Sequence, residues 1–124
     1  MYNHASMTVD SSNFIALDSL DAQAVSQPEV LSALHALADA NRLRIFELLR
    51  HGERCVCDIE TGVHLPQNLV SHHLRVLREA GLIRARRDGR WAYYSVNIGH
   101  LTRIHSLVTM LLDPSTINDE LTQC

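Results

Sequence analysis

Apolar residues recur along this chain first with a helical spacing, then with a strand spacing, then with a helical one again. "FIALDSLDAQAV" predicts a short amphipathic helix over Phe14–Val25. "QPEVLSALHALAD" places Pro28 near a helix start and spaces Val30, Leu31, Leu34 and Leu37 at helical intervals. "ANRLRIFELLRHG" repeats the pattern through Leu43, Phe46 and Leu49, with Gly52 as its stop. A short helix around Asp58–Gly62 follows. In "PQNLVSHHLRVLREAGLI", Gln67, Asn68, Ser71, His72, Arg75, Arg78 and Glu79 share an arc of roughly 140° at the helical period. Leu69, Val70, Leu74, Val76, Leu77 and Ala80 occupy the other side, with His73 among them as an expected core histidine. Pro66 begins this helix and Gly81 ends it.

The period then shortens. "LIRARRDGRWAYYSV" reads as two strands about Asp88-Gly89, a strong hairpin signal. Arg86, Arg87 and Arg90 cluster at its tip, and Trp91 and Tyr94 read as hairpin packing. The tail "HLTRIHSLVTMLLD" is a last helix with Leu101, Ile104, Leu107, Val108, Leu111 and Leu112 along one side. So small a domain does not easily cover that stripe itself, so it predicts a homodimer through the first and last helices.

The exposed arc of the Gln67–Ala80 helix carries amides, a hydroxyl, an imidazole and guanidiniums, the groups that read base edges and phosphates. A generic solvated face more often alternates Glu and Lys. Followed directly by an Arg-tipped hairpin, it predicts a mainly α fold with a β-hairpin. That is a winged helix-turn-helix of about five to six helices and a two-stranded wing. Residues 1–13 read as a mobile arm, 14–112 as the DNA-binding and dimerisation domain, and 113–124 as a polar tail.

Charge sharpens this picture. The net charge is −3, yet residues 39–90 hold ten Arg against seven acids, while 1–38 hold four acids and no base. Every basic residue except the histidines is Arg, whose planar fork suits phosphate and guanine. A length of 124 residues with 46 % hydrophobic residues suits one folded domain. No apolar run approaches the ~20 residues that cross a bilayer, and no signal peptide is visible. A cytoplasmic location is expected, with its thiols reduced.

Two of the three cysteines lie two residues apart in "HGERCVCDIETG". Such a pair points to opposite sides of a regular helix and to one side of an extended segment. A clamp therefore requires Cys55 and Cys57 in extended or helix-start geometry, where the helix terminus and Arg54 would favour thiolates. Soft sulfur selects thiophilic ions over magnesium or calcium. Three sulfurs satisfy a trivalent metalloid or lead, whereas cadmium or zinc usually takes four ligands. Cys124, at the end of the tail, is the candidate third ligand, with His4, His51 or solvent as substitutes. A buried apolar pair and a redox couple are the competing readings of "CVC". A thiol enzyme such as a metalloid reductase would need a partner base or a phosphate-cradling loop, and the sequence offers neither.

From about Leu31 to Leu112 the chain resembles the ArsR/SmtB family of metal- and metalloid-responsive repressors. The likeness rests on "LADANRLRIFELL", "CVCD", "LPQNLVSHHLRVLREAGLI" and "RRDGRWAYYSV", in that order and spacing. It implies a winged-helix homodimer that holds operator DNA without metal and releases it when metal binds, with no organic cofactor. It implies that Gln67, Asn68, Ser71, His72 and Arg75 face DNA from the recognition helix, and Arg86, Arg87 and Arg90 from the wing. "CVCD" is similar to the thiolate motif of the branch sensing As(III)/Sb(III) or Cd(II)/Pb(II), which gives Cys55 and Cys57. At the positions where other branches hold zinc or nickel on the last helix stand Ile98, His100, Leu111 and Pro114, so no zinc site is expected there. An oxidation- or non-metal-responsive repressor of the same fold is the alternative.

Overall fold

A computed structural model describes residues 26–120. The helix expected over Phe14–Val25, the arm before it and Cys124 lie outside the described residues. Five α-helices and a three-stranded antiparallel sheet follow from Ser26 onward.

Helix α1 (Gln27–Leu37) opens with a reciprocal cap. Glu29 N–H donates to Ser26 Oγ at 3.4 Å, and Ser26 N–H donates to Glu29 Oε1 at 2.7 Å. Helix α2 (Ala40–Leu49) is capped by Asp39, whose Oδ1 accepts from the amides of Asn41 and Arg42 at 2.9 and 3.1 Å. The chain leaves α2 through Gly52, whose φ of 129° suits glycine alone. It then enters β1 (Arg54–Cys55) and α3 (Val56–Val63). Helix α4 (Gln67–Glu79) starts after Pro66 and passes through Gly81 (φ 81°) into the hairpin. That hairpin is β2 (Ile83–Asp88) and β3 (Trp91–Val96), and α5 (Ile98–Leu111) closes the fold before a short 3-10 turn at Pro114–Thr116.

The sheet order is β1-β3-β2. The expected two-stranded wing has gained a third strand, because Arg54 and Cys55 pair with Tyr94 and Tyr93. Two residues are too few to show any period in sequence. The hairpin loop is Gly89-Arg90, since Asp88 still pairs with Trp91. Gly89 takes φ 62° and Arg90 does not, the sign pattern of a two-residue turn with glycine first.

The core gathers Ile45 of α2, Ile59 of α3, Val70, Leu74 and Leu77 of α4, and Leu82 and Ile83 at the start of the wing, each at most 2 % exposed. The two helices of the helix-turn-helix, α3 and α4, pack directly on each other, and α1 packs on α5. Three expectations change. Leu69, placed on the apolar arc, is 42 % exposed. It lies at the edge of that arc in the first turn of α4, where the core does not reach. Trp91, read as packing, is half exposed at the wing tip. The stripe on α5 splits: Ile104 and Leu107 fill this domain's own core, while Leu111 and Leu112 stay exposed alongside Leu31 and Leu34 of α1. His73 is buried as expected, with Nδ1 3.4 Å from Arg42 Nη1.

Candidate metal centre and nucleic-acid interface

The cysteine pair sits where the chain turns from strand to helix. Cys55 is the N-cap of α3 in extended geometry (φ −78°, ψ 164°), and its Sγ accepts from Asp58 N–H at 3.4 Å. Cys57 follows in the first turn, exposed, while Cys55 is half-buried. The two Sγ atoms and an Asp58 carboxylate oxygen all lie within 4.8 Å of one another. This is the helix-start geometry that a clamp requires. Among the described residues it is the one group of three or more His, Cys, Asp or Glu side chains close enough to share an ion. Asp58 is an addition to the expected donors. Its signal in sequence was only its adjacency to Cys57.

The electrostatics depart from expectation. The Cys57 thiol is pushed up, first by its hydrogen bond with Cys55, then by burial and by the negative charge of Cys55 and Asp58. Arg54, expected to favour the thiolates, is not among the groups that act on the Cys57 thiol, and its Nη1 donates to the Glu53 carbonyl at 3.0 Å. Three electron-rich groups thus crowd together with no cation among them. A bound cation inverts such a balance and takes the thiol as thiolate. Two soft sulfurs and an oxygen fit a thiophilic ion better than a hard one.

On the last helix, Ile98 is 70 % exposed and Leu111 53 % exposed, while His100 is 8 % exposed. The His100 ring packs against Gly81, with Nδ1 3.5 Å from Arg103 Nη2 and Nε2 without a hydrogen-bond partner.

Helix α4 presents Gln67, Asn68, Ser71, His72 and Arg75 to solvent along one face, backed by the buried Val70, Leu74 and Leu77. His72 Nδ1 lies 3.4 Å from Arg75 Nη2, so these two neighbours on the face are mutually oriented. Leu69 joins that exposed surface. At the wing, Arg87 and Arg90 are exposed, with the Arg90 guanidinium 5.9 Å from the Trp91 ring centroid. Arg86 differs. Its Nη2 and Nε donate to the two carboxylate oxygens of Glu53 at 2.8 and 3.0 Å, and its guanidinium lies 4.6 Å over the Tyr93 ring. All three expected wing arginines are exposed, and Arg86 alone among them is also held by a carboxylate.

Residues 39–85 match the arsR family of bacterial regulatory proteins. A transcriptional repressor SmtB homolog of Synechocystis is 38 % identical over 98 residues, covering 72 % of this chain and 74 % of the relative. The chain belongs to the arsR family. An arsenical resistance operon repressor of Bacillus subtilis is 43 % identical over 63 residues, half of this chain and 60 % of that protein. Among solved structures, the homodimeric winged helix-turn-helix DNA-binding domain Mb0332 of Mycobacterium bovis, a possible ArsR-family regulator, superposes with a TM-score of 0.58. It is 31 % identical and covers 77 % of this chain and 89 % of its own. This arsR-family chain is thus a winged helix-turn-helix transcriptional regulator, with α3 and α4 as its helix-turn-helix and β2–β3 as its wing. No helix among the described residues is long and apolar enough to cross a membrane.

Proposed function

We propose that the protein is a repressor that grips operator DNA as a homodimer and lets go when Cys55 and Cys57 capture a thiophilic ion, As(III)/Sb(III) or Cd(II)/Pb(II). The observation that carries this reading is the meeting of two sulfurs and a carboxylate within 4.8 Å at the first residues of α3. That helix packs directly on the recognition helix. When bound, the ion would be held by both sulfurs and would keep them as thiolates. Cys55 and Cys57 are the thiolate donors, with Asp58 or Cys124 completing the set. A metalloid content with three sulfurs would select Cys124, and a divalent ion accepts the Asp58 oxygen as well.

Gln67, Asn68, Ser71, His72 and Arg75 read base edges and phosphates, and Arg87 and Arg90 reach the backbone beside them. The exposed Leu31, Leu34, Leu111 and Leu112 supply apolar surface for a second copy, consistent with the homodimeric Mycobacterium bovis relative. Two copies would present two recognition helices to a two-fold operator.

Operator occupancy moves from 99:1 to 1:99 only if the ion favours the released form by about 10⁴-fold, or ~5.5 kcal/mol. The test is a fluorescence titration of labelled operator against arsenite, antimonite, cadmium, lead and zinc at fixed salt, since phosphate-driven affinity varies steeply with salt. Wild type should release DNA with at least one of these ions, and Cys55→Ser and Cys57→Ser should not. Equal release by all three proteins would refute the assignment.

A further inference from the structure

The thiol pair and the wing are joined by one continuous row of side chains. Cys55 on β1 stands opposite Tyr93 on β3, and Tyr93 stands opposite Arg86 on β2. Residues directly opposite across antiparallel strands share a face and touch. Arg86 lies 4.6 Å over the Tyr93 ring, within cation–π range. The row then closes on itself, because Arg86 is held through two parallel hydrogen bonds by Glu53, two residues before Cys55. Such forked pairing fixes the guanidinium in direction as well as position. A sulfur at one end of the row is therefore tied to a wing arginine at the other, both through the sheet and through the carboxylate.

We propose that Glu53 is a positioning residue that latches Arg86 and Tyr93 to the cysteine strand, so that ion capture at Cys55 reaches the wing, and that Arg86 serves this latch rather than the DNA phosphates. This rests on the ion-sensing reading above for its regulatory half. Its DNA half stands without the ion. The pair is exposed enough that its worth lies in geometry rather than in stability: Arg86 is 53 % and Glu53 36 % exposed at the side chain. Arg87 and Arg90 have no such carboxylate partner among the described residues and remain the wing's phosphate-facing cations.

The experiment uses the full chain as wild type, Glu53→Gln and Arg86→Gln. Operator affinity is measured first without ion across a salt series. Each phosphate contact contributes about 0.9 to the slope of log K against log salt. Arg86→Gln should leave that slope at the wild-type value, and a drop of about 0.9 or more would overturn the assignment of Arg86 to the latch. Operator affinity is then measured with and without cadmium and with and without arsenite. Ion loading is followed independently by sulfur-to-metal absorption, and folding by thermal melting. Glu53→Gln should load ion and melt as wild type does, while its ratio of ion-free to ion-loaded operator affinity falls at least about threefold. An unchanged ratio in loaded Glu53→Gln refutes the latch. A wild-type protein that holds operator equally with either ion instead refutes the ion-sensing reading, and the ion-free salt slope still decides the role of Arg86.

Discussion

Replacing Cys55 by serine separates two jobs that one sulfur performs. Cys55 caps α3 by accepting from Asp58 N–H at 3.4 Å, and sulfur is a weak acceptor. Serine is among the preferred N-cap residues, and losing a serine cap to alanine costs about 0.5–2 kcal/mol. Cys55→Ser should therefore match the ion-free wild type or exceed it by up to about 1 kcal/mol, which for a domain of this size raises Tm by up to about 4–8 °C. Cys55→Ala should fall on the other side of wild type. The same exchange replaces a soft donor with a hard one, so affinity for arsenite or cadmium should collapse. Stability and ion response thus move in opposite directions in one variant. Thermal melts with and without ion, run beside an operator-binding titration, read both. A Cys55→Ser protein melting several degrees below wild type would show that the sulfur is no cap. One that still released operator with ion would show that it is no ligand.

Leu74→Ala should cost about 2–5 kcal/mol, because this side chain of the recognition helix is 1 % exposed at the centre of the core, and chemical denaturation measures it. Leu69→Ala, at a position 42 % exposed, should change stability by less than about 0.5 kcal/mol in the same assay. Gly81→Ala should destabilise by more than about 1–2 kcal/mol, since φ is 81° and the new Cβ would lie 2.8 Å from His100 Cδ2. A wild-type Tm would contradict that. Burial pushes the His73 imidazole below its ordinary 6.5, with Arg42 and His72 acting in the same direction and Asp39 against it. The folded state thus binds a proton less readily than the unfolded chain. The stability contribution is full above pH 6.5 and is lost as pH falls through the depressed value. His73→Gln should flatten the decline in Tm below pH 6.5 relative to wild type.

Much of the architecture was legible because the long helices carry their own period. The buried Val70, Leu74 and Leu77 and the exposed Gln67, Ser71 and Arg75 follow directly from a helical repeat, and His73 was correctly placed inside. Leu69 was not, because a wheel gives an angle and not the neighbour that meets it. The cysteine geometry was legible as a requirement, since spacing at i and i+2 needs a strand-to-helix turn to converge. What that turn does to the Cys57 thiol was not, because the hydrogen bond with Cys55 and the Asp58 charge act through space. The strand at Arg54–Cys55 left no trace, being too short to alternate. The Glu53–Arg86 pair was equally hidden, as 33 residues separate its members and only the sheet brings them together. The apolar stripe of α5 was read as wholly unpartnered, whereas Ile104 and Leu107 turn into the protein's own core.

The central claim is that ion capture at Cys55 and Cys57 and the grip on DNA oppose each other, and a closed thermodynamic cycle measures that opposition directly. Operator affinity is determined for ion-free and ion-loaded protein, and ion affinity for free and operator-bound protein, at one salt concentration. Linkage requires the two ratios to be equal. The account predicts that both exceed unity by the same large factor, approaching about 10⁴ for a full switch, and that both collapse to one in Cys57→Ser. An ion that binds the cysteines tightly while leaving operator affinity unchanged would contradict it.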